Sequence, residues 1–119
     1  MGQRVCLIVD DDSVIRGYLT TVLQRTGWKC LEAASAPDGR RMVESLHGAL
    51  DLVLTDIEMP GEINGIALAR WIRETFPGVP VILVSGSGEV PPAEFPLVSK
   101  PCKPETLLRA VDGSLRKVS

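Results

Sequence analysis

The chain has 119 residues, of which 45% are hydrophobic and 24% charged, so it can form one domain with a substantial core. Its net charge of −2 argues against a broad basic surface for nucleic acid, and no apolar run approaches the length of a membrane span. The start of the chain lacks a signal-peptide pattern, and we therefore expect a cytoplasmic protein without membrane contact.

Predicted strands and helices alternate along the chain, which favours a mainly parallel sheet covered on both faces. The predicted strands are Val5–Val9, Trp28–Glu32, Leu52–Thr55, Val79–Val84 and Phe95–Ser99. The predicted helices run from Asp12 or Ser13 to about Arg25, from Ser35 to near His47–Gly48, from Ile66 to Phe76, and from Pro104 onwards. Five such strands suit the order 2-1-3-4-5 of a doubly wound, flavodoxin-like α/β fold.

One connection is too short for the usual crossover helix. Only residues 86–94 lie between Ser85 and the fifth strand, and they include Gly86, Gly88, Pro91 and Pro92. A parallel crossover normally needs at least about ten residues. We therefore expect the fourth helix to be shortened or missing, with a loop or a single helical turn in its place.

Acidic residues follow two of the predicted strands. Asp10, Asp11 and Asp12 come after the first strand, and Asp56 comes after the third. The ends of parallel strands meet at one edge of a sheet, so these carboxylates should lie close together and repel one another unless a cation is bound. Carboxylate oxygens suit Mg²⁺, with Mn²⁺ as an alternative, and Lys100 offers a positive charge for a phosphate oxygen. The pattern indicates a phosphoryl-transfer site.

Four motifs, in order, give the chain a specific resemblance. The segments LIVDDDSVIR, LVLTDIEMPG, VILVSG and VSKP resemble those of the receiver domain of two-component response regulators. The resemblance covers nearly the whole chain and implies one receiver domain, residues 1–119, either standing alone or belonging to a longer protein. It also implies a phosphoprotein that takes its phosphoryl group from a histidine kinase or a histidine phosphotransfer domain and then changes conformation. Such a domain is not an enzyme, apart from chemistry on its own aspartate.

The resemblance implies a role for each residue at the acidic edge. Asp56 matches the phosphoacceptor, which acts as nucleophile toward phosphorus. Asp11 matches a direct Mg²⁺ ligand, Asp10 a ligand acting through water, and Glu58 a ligand acting through its backbone carbonyl. Asp12, in contrast, is expected to cap the first helix or to be solvated.

Two further residues match positions that contact the phosphoryl group. Ser85 matches the hydroxyl residue that bonds a phosphoryl oxygen, and Lys100 matches the lysine that offsets phosphoryl charge. Lys100-Pro101 resembles the cis peptide of the family. His47 is the only histidine and is expected at an exposed helix end, so the phosphodonor must come from another domain or chain.

The sequence departs from the family pattern near the switch. Leu97 occupies the position that is usually aromatic, so we do not expect the usual aromatic rotation at this position. The loop PGEINGIAL carries one residue more than the commonest form and resembles receivers attached to hybrid sensor kinases. The three cysteines have no metal spacing and are expected to be free thiols.

Two other functions remain open from the sequence. The segment Asp10-Asp11-Asp12-Ser13-Val14 also matches the start of haloacid-dehalogenase-type phosphatases, in which Asp10 would be the nucleophile and Asp12 the general acid. The second alternative is a receiver-like scaffold that is never phosphorylated. Phosphorylation that is lost on substituting Asp56 indicates the receiver, whereas phosphorylation that is lost on substituting Asp10 but not Asp56 indicates the phosphatase. Absence of any phosphorylation indicates the scaffold.

Overall fold

The computed structural model describes residues 2–61, 63–86 and 94–118 and shows a five-stranded, fully parallel sheet with the order β2-β1-β3-β4-β5. The strands are β1 (Val5–Val9), β2 (Lys29–Ala33), β3 (Leu52–Asp56), β4 (Val81–Ser85) and β5 (Leu97–Ser99). The helices of the described residues are α1 (Ser13–Gln24), α2 (Ala36–Ser45), α3 (Gly65–Thr75) and α4 (Pro104–Val118). The predicted fold class and strand order are confirmed.

The sheet separates two apolar clusters. Alternate side chains of a strand point to opposite faces, so Leu7 and Val9 join one cluster while Ile8 joins the other. Helices α2 and α3 cover the first face, and α1 and α4 cover the second. All residues of β3 and β4 are buried, which is why their sequences contain the apolar runs Leu52–Leu54 and Val81–Val84.

Side-chain caps fix where the helices begin. Asp12 accepts hydrogen bonds from the backbone N–H groups of Val14 (2.9 Å) and Ile15 (3.3 Å), which confirms it as the cap of α1. Ser35 caps α2 as predicted. Asn64 caps α3, a role that was not predicted from the sequence.

The first half of the chain differs from the predicted boundaries where backbone hydrogen bonds close a helix. Strand β2 begins at Lys29 because the N–H of Trp28 donates to the carbonyl of Leu23 (3.2 Å) and thereby completes the end of α1. Helix α2 ends at Ser45, before the predicted His47–Gly48. Both of these residues have positive φ angles, 51° and 71°, which leave the helical conformation.

The last two strands begin later than predicted. The N–H of Val79 donates to the carbonyl of Phe76 (3.0 Å), so Val79 belongs to the turn after α3. Strand β5 begins at Leu97 because the preceding Pro96 has no N–H to donate to a ladder.

Three further expectations concern the connections and the thiols. The predicted short crossover falls mainly on residues 87–93, which lie outside the described residues. The Lys100-Pro101 peptide is cis, as the resemblance implied, and the three cysteines are free. Among the described residues, we find no helix with the length and apolarity needed to cross a bilayer.

Candidate functional site

The carboxyl ends of the strands meet at one edge of the sheet and form an open recess of ≈ 370 Å³. Asp10 follows β1, Asp56 ends β3 and Lys100 follows β5. The recess is lined by Asp10, Asp11, Asp12, Ile15, Asp56, Glu58, Gly86 and Lys100. The fold therefore brings together the acidic residues and the lysine that the sequence predicted for one site.

Three carboxylates can face a single point in this recess. Asp10, Asp11 and Asp56 each offer an oxygen, and these oxygens lie within 4.8 Å of one another. Asp10 and Asp56 are buried, at 0% and 4% exposure, whereas Asp11 is exposed at the mouth. Three hard oxygen donors with one open side suit a small divalent cation that keeps part of its water shell.

Lys100 lies between the two buried carboxylates. Its Nζ is 3.0 Å from Asp10 Oδ2 and 3.2 Å from Asp56 Oδ1, and its side chain is only 16% exposed. Apart from this ion pair, Asp10 Oδ2 has no hydrogen-bond donor among the described residues, although it is fully buried. One ammonium thus compensates two carboxylates, and the site retains capacity for a further cation.

Burial and charge shift the titration of both Asp56 and Lys100 upward. Burial raises the pKa of Asp56, and the neighbouring charge of Asp10 raises it further, while Lys100 and the backbone N–H of Glu58 act in the opposite direction. Burial alone would lower the pKa of Lys100, but its hydrogen bonds and ion pairs with the two carboxylates raise it above its ordinary value. Lys100 therefore stays charged at neutral pH, and Asp56 is a more basic carboxylate than a free one.

The backbone at the end of β3 is held by a close approach from α3. A Cβ placed on Gly65 would lie 1.8 Å from the carbonyl oxygen of Asp56, and the N–H of Gly65 donates to the carbonyl of Ile57 (3.0 Å). Only glycine permits this contact between a helix start and the end of β3. Gly65 was predicted to lie in a loop; the Asn-Gly pair at residues 64–65 was the signal available for a capped helix start.

The other predicted residues occupy different positions relative to the recess. The exposed Glu58 lines it, and its backbone N–H lowers the pKa of the Asp56 carboxylate. Ser85 is buried at the end of β4, where its carbonyl accepts a hydrogen bond from the N–H of Lys100 (2.8 Å). Leu97 is half-buried and packs against the apolar cluster under α2 and α3.

Comparison with known sequences decides the family. The profile of the response regulator receiver domain matches residues 6–112. The chain belongs to this family. Receiver domains of this family are signalling domains of two-component systems and not conventional enzymes. The phosphatase alternative finds no support in the structure either, because the Asp12 carboxylate that it requires as general acid caps α1.

The most similar proteins include receivers of bacterial sensor kinases. The chain is 33% identical over 123 residues to the sensor kinase CckA of Brucella abortus, and the alignment covers 98% of this chain and 13% of that kinase. A CheY-like receiver from Methanospirillum hungatei has a TM-score of 0.87 at 27% identity and covers 98% of this chain and 97% of its own. The receiver of the hybrid histidine kinase CckA has a TM-score of 0.81 at 29% identity, with coverages of 93% and 98%. The predicted resemblance to hybrid-kinase receivers is confirmed.

Proposed function

We propose that residues 1–119 act as a phosphoacceptor domain in which Asp56 receives the phosphoryl group of a phosphohistidine. The observation that carries this proposal is the position of Lys100, 3.2 Å from a nearly buried Asp56 at the floor of an open acidic recess. An oxygen of Asp56 attacks phosphorus, the P–N bond breaks, and its electron pair passes to the imidazole nitrogen of the donor. The product is an acyl phosphate on Asp56, with Lys100 beside the phosphoryl oxygens.

The acidic residues fit a Mg²⁺ ion, with Mn²⁺ as an alternative. We propose that Asp10, Asp11 and Asp56 hold the ion together with the backbone carbonyl of Glu58, Asp10 acting through water. A bound divalent cation would neutralise charge on the transferring phosphoryl group. The support comes from three convergent carboxylates and from the buried Asp10 Oδ2, whose partner is Lys100. We assign to Ser85 the bonding of a phosphoryl oxygen, an assignment that rests on the family pattern.

Labelling with a small acyl phosphate tests the acceptor. The domain is incubated with the donor and Mg²⁺, and its intact mass should increase by one phosphoryl group, whereas Asp56→Asn should not be labelled. Labelling that persists in Asp56→Asn would contradict the assignment. If Asp10→Asn alone abolished labelling, the phosphatase alternative would be supported, and complete absence of labelling would support a scaffold without phosphorylation.

Thermal melting tests the metal site separately. Mg²⁺ that binds only the folded state should raise the melting temperature by mass action. Asp11→Ala should remove this increase, and Asp11 is exposed, so the substitution leaves the core intact. Asp112→Ala, which removes an exposed carboxylate on α4, is the matched control and should keep the increase. An undiminished increase in the melting temperature of Asp11→Ala with Mg²⁺ would mean that the ion binds elsewhere.

An apolar groove beside the recess suits the phosphodonor domain. This groove of ≈ 700 Å³ shares Ile15, Gly86 and Lys100 with the recess, and it carries two exposed apolar side chains, Val14 (78%) and Tyr18 (40%). A donor histidine that reaches Asp56 through the open mouth brings its own surface over the groove. We therefore assign the groove to a histidine kinase or histidine phosphotransfer domain.

The donor surface can be tested without disturbing the chemistry at Asp56. Val14→Asp should slow transfer from a phosphorylated kinase core that labels the unaltered domain, because it places a charge in an apolar contact. The same variant should accept phosphate from a small acyl phosphate at an unchanged rate. Equal slowing with both donors would mean that the substitution acts on the site and not on the donor surface.

A further inference from the structure

Arg16 joins three elements beside the acidic recess. It lies in the first turns of α1, where its NH1 group donates to the backbone carbonyl of Asp10 (2.7 Å) and its Nε donates to Glu32 Oε1 (2.8 Å). The Arg16 side chain is only 19% exposed. The guanidinium thus connects the end of β1 with a carboxylate of β2 through two donors set at a fixed angle.

The location of this cation is unusual for a helix. The start of a helix carries a partial positive charge, so a cation in its first turns is disfavoured by the helix dipole. Arg16 is nevertheless held there by two directed hydrogen bonds, one of them to the backbone of a residue of the acidic recess. An ion pair between Arg16 and Glu32 alone would not require the additional hydrogen bond from Arg16 to the carbonyl of Asp10.

The bond to Asp10 controls the orientation of the next residue. The carbonyl of Asp10 and the N–H of Asp11 belong to one planar peptide group, so fixing the carbonyl oxygen also fixes the direction in which Asp11 leaves it. The N–H of Asp10 already donates to the carbonyl of Ala33 (3.1 Å), and its Oδ1 accepts from the N–H of Asp12 (2.9 Å). Among the residues that the structure describes, the hydrogen bond to the carbonyl of Asp10 comes from Arg16, which adds a constraint on the peptide group between Asp10 and Asp11.

We propose that Arg16, anchored by Glu32, is a positioning residue that sets Asp10 and Asp11 for binding of the divalent cation. The proposal rests on the metal site proposed above. Arg16 would act by orienting the ligands. Its removal should therefore change Mg²⁺ affinity in the direction opposite to that expected from charge alone. Removing a positive charge near a cation site should tighten Mg²⁺ binding by Coulomb attraction alone. Removing a positioning contact should weaken it, and losses of this kind are about tenfold or more.

Calorimetric titration with Mg²⁺ distinguishes the two effects. Arg16→Gln should raise the Kd for Mg²⁺ about tenfold. Arg16→Lys keeps the positive charge but cannot donate to Glu32 and to the carbonyl of Asp10 in the same geometry, so it should also weaken Mg²⁺ binding. This variant replaces Arg16→Gln in the experiment if the glutamine variant does not fold. Arg41→Gln is the matched control, because it breaks the more exposed ion pair with Asp38 on α2 and should leave the Kd unchanged.

Two further measurements separate positioning from general damage. In labelling with a small acyl phosphate, Arg16→Gln should need about tenfold more Mg²⁺ for half-maximal rate but should approach the unaltered rate at saturation. In the metal-free protein, the amide proton of Asp12, which is bonded to Asp10 Oδ1, should exchange faster in Arg16→Gln and not in Arg41→Gln. Unchanged or tighter Mg²⁺ binding in Arg16→Gln would overturn the positioning role alone, whereas an unaltered domain that binds no Mg²⁺ would overturn the metal site as well.

Discussion

Replacing Gly65 by alanine should destabilise the domain through the backbone at the end of β3. The added Cβ would lie 1.8 Å from the carbonyl oxygen of Asp56, 2.7 Å from its carbonyl carbon and 3.0 Å from the Cα of Ile57. All three neighbours are backbone atoms, so no side-chain rotation relieves the overlap. Because ordinary contacts begin at 3.4 Å, the start of α3 and the end of β3 must separate by roughly 1.6 Å, which is 3.4 − 1.8.

The cost of that separation follows from what holds the two elements together. Leu68, Ala69 and Ile72 fix α3 against the sheet with at most 1% exposure. Forced insertion of one carbon into such packing costs about 1–3 kcal/mol and occasionally more. Alanine recovers up to about 1 kcal/mol of helix propensity over glycine. We therefore expect a net loss of about 2 kcal/mol, or a melting temperature lower by about 8 °C.

Urea unfolding followed by circular dichroism measures this change, and a second glycine provides the control. Gly17 lies within α1, and a Cβ added there would have no neighbouring atom within 4 Å, so Gly17→Ala should gain about 0.5–1 kcal/mol from helix propensity. The two substitutions are chemically identical and should change stability in opposite directions. A Gly65→Ala midpoint equal to or above that of the unaltered domain would refute the reasoning from backbone overlap.

Three further predictions concern the charged groups of the recess. Lys100→Met leaves the buried Asp10 and Asp56 without a cation, so the free energy of unfolding of the metal-free domain should fall by about 3–5 kcal/mol, and Mg²⁺ should restore part of it. Equal melting temperatures of Lys100→Met and the unaltered domain would contradict this prediction. Asp12→Ala should cost about 1 kcal/mol through loss of the α1 cap while the melting increase with Mg²⁺ persists; a lost increase would make Asp12 a ligand. Asp56→Asn should stabilise the metal-free domain at neutral pH. Burial and the charge of Asp10 raise the pKa of Asp56, so the unaltered domain loses stability as the pH rises from 3.8 through the folded-state pKa. The difference in melting temperature between Asp56→Asn and the unaltered domain should therefore become smaller toward acidic pH.

The sheet order could be predicted from the alternation of strands and helices, and the acidic edge from the residues that follow individual strands. Unbroken apolar runs mark strands buried on both faces, and parallel strands place the residues that follow them at one edge. Asp10, Asp56 and Lys100 needed no other information. The cap by Asp12 was equally local, since its partners are two and three residues away.

The contacts between elements could not be predicted in the same way. The bond of Arg16 to Glu32 joins a helix to a strand 16 residues further along the chain, and each residue alone is an ordinary surface charge. The approach of Gly65 to Asp56 depends on how α3 packs on β3, which the apolar pattern of α3 does not specify. The start of β2 shifted for a local reason: the N–H of Trp28 donates to the carbonyl of Leu23 at the end of α1, and β-propensity does not contain this hydrogen bond.

The two buried carboxylates on either side of Lys100 also determine how this domain would respond to selection. Proteins are seldom as stable as they could be, and destabilising residues are often found in functional sites, where activity requires them. A library enriched only for thermal resistance should replace Asp56 by neutral residues of similar size, since an uncharged side chain in that position is easier to bury. The same library enriched for signalling should retain aspartate there. The positions on which the two enrichments disagree would map the functional residues of the domain from selection alone.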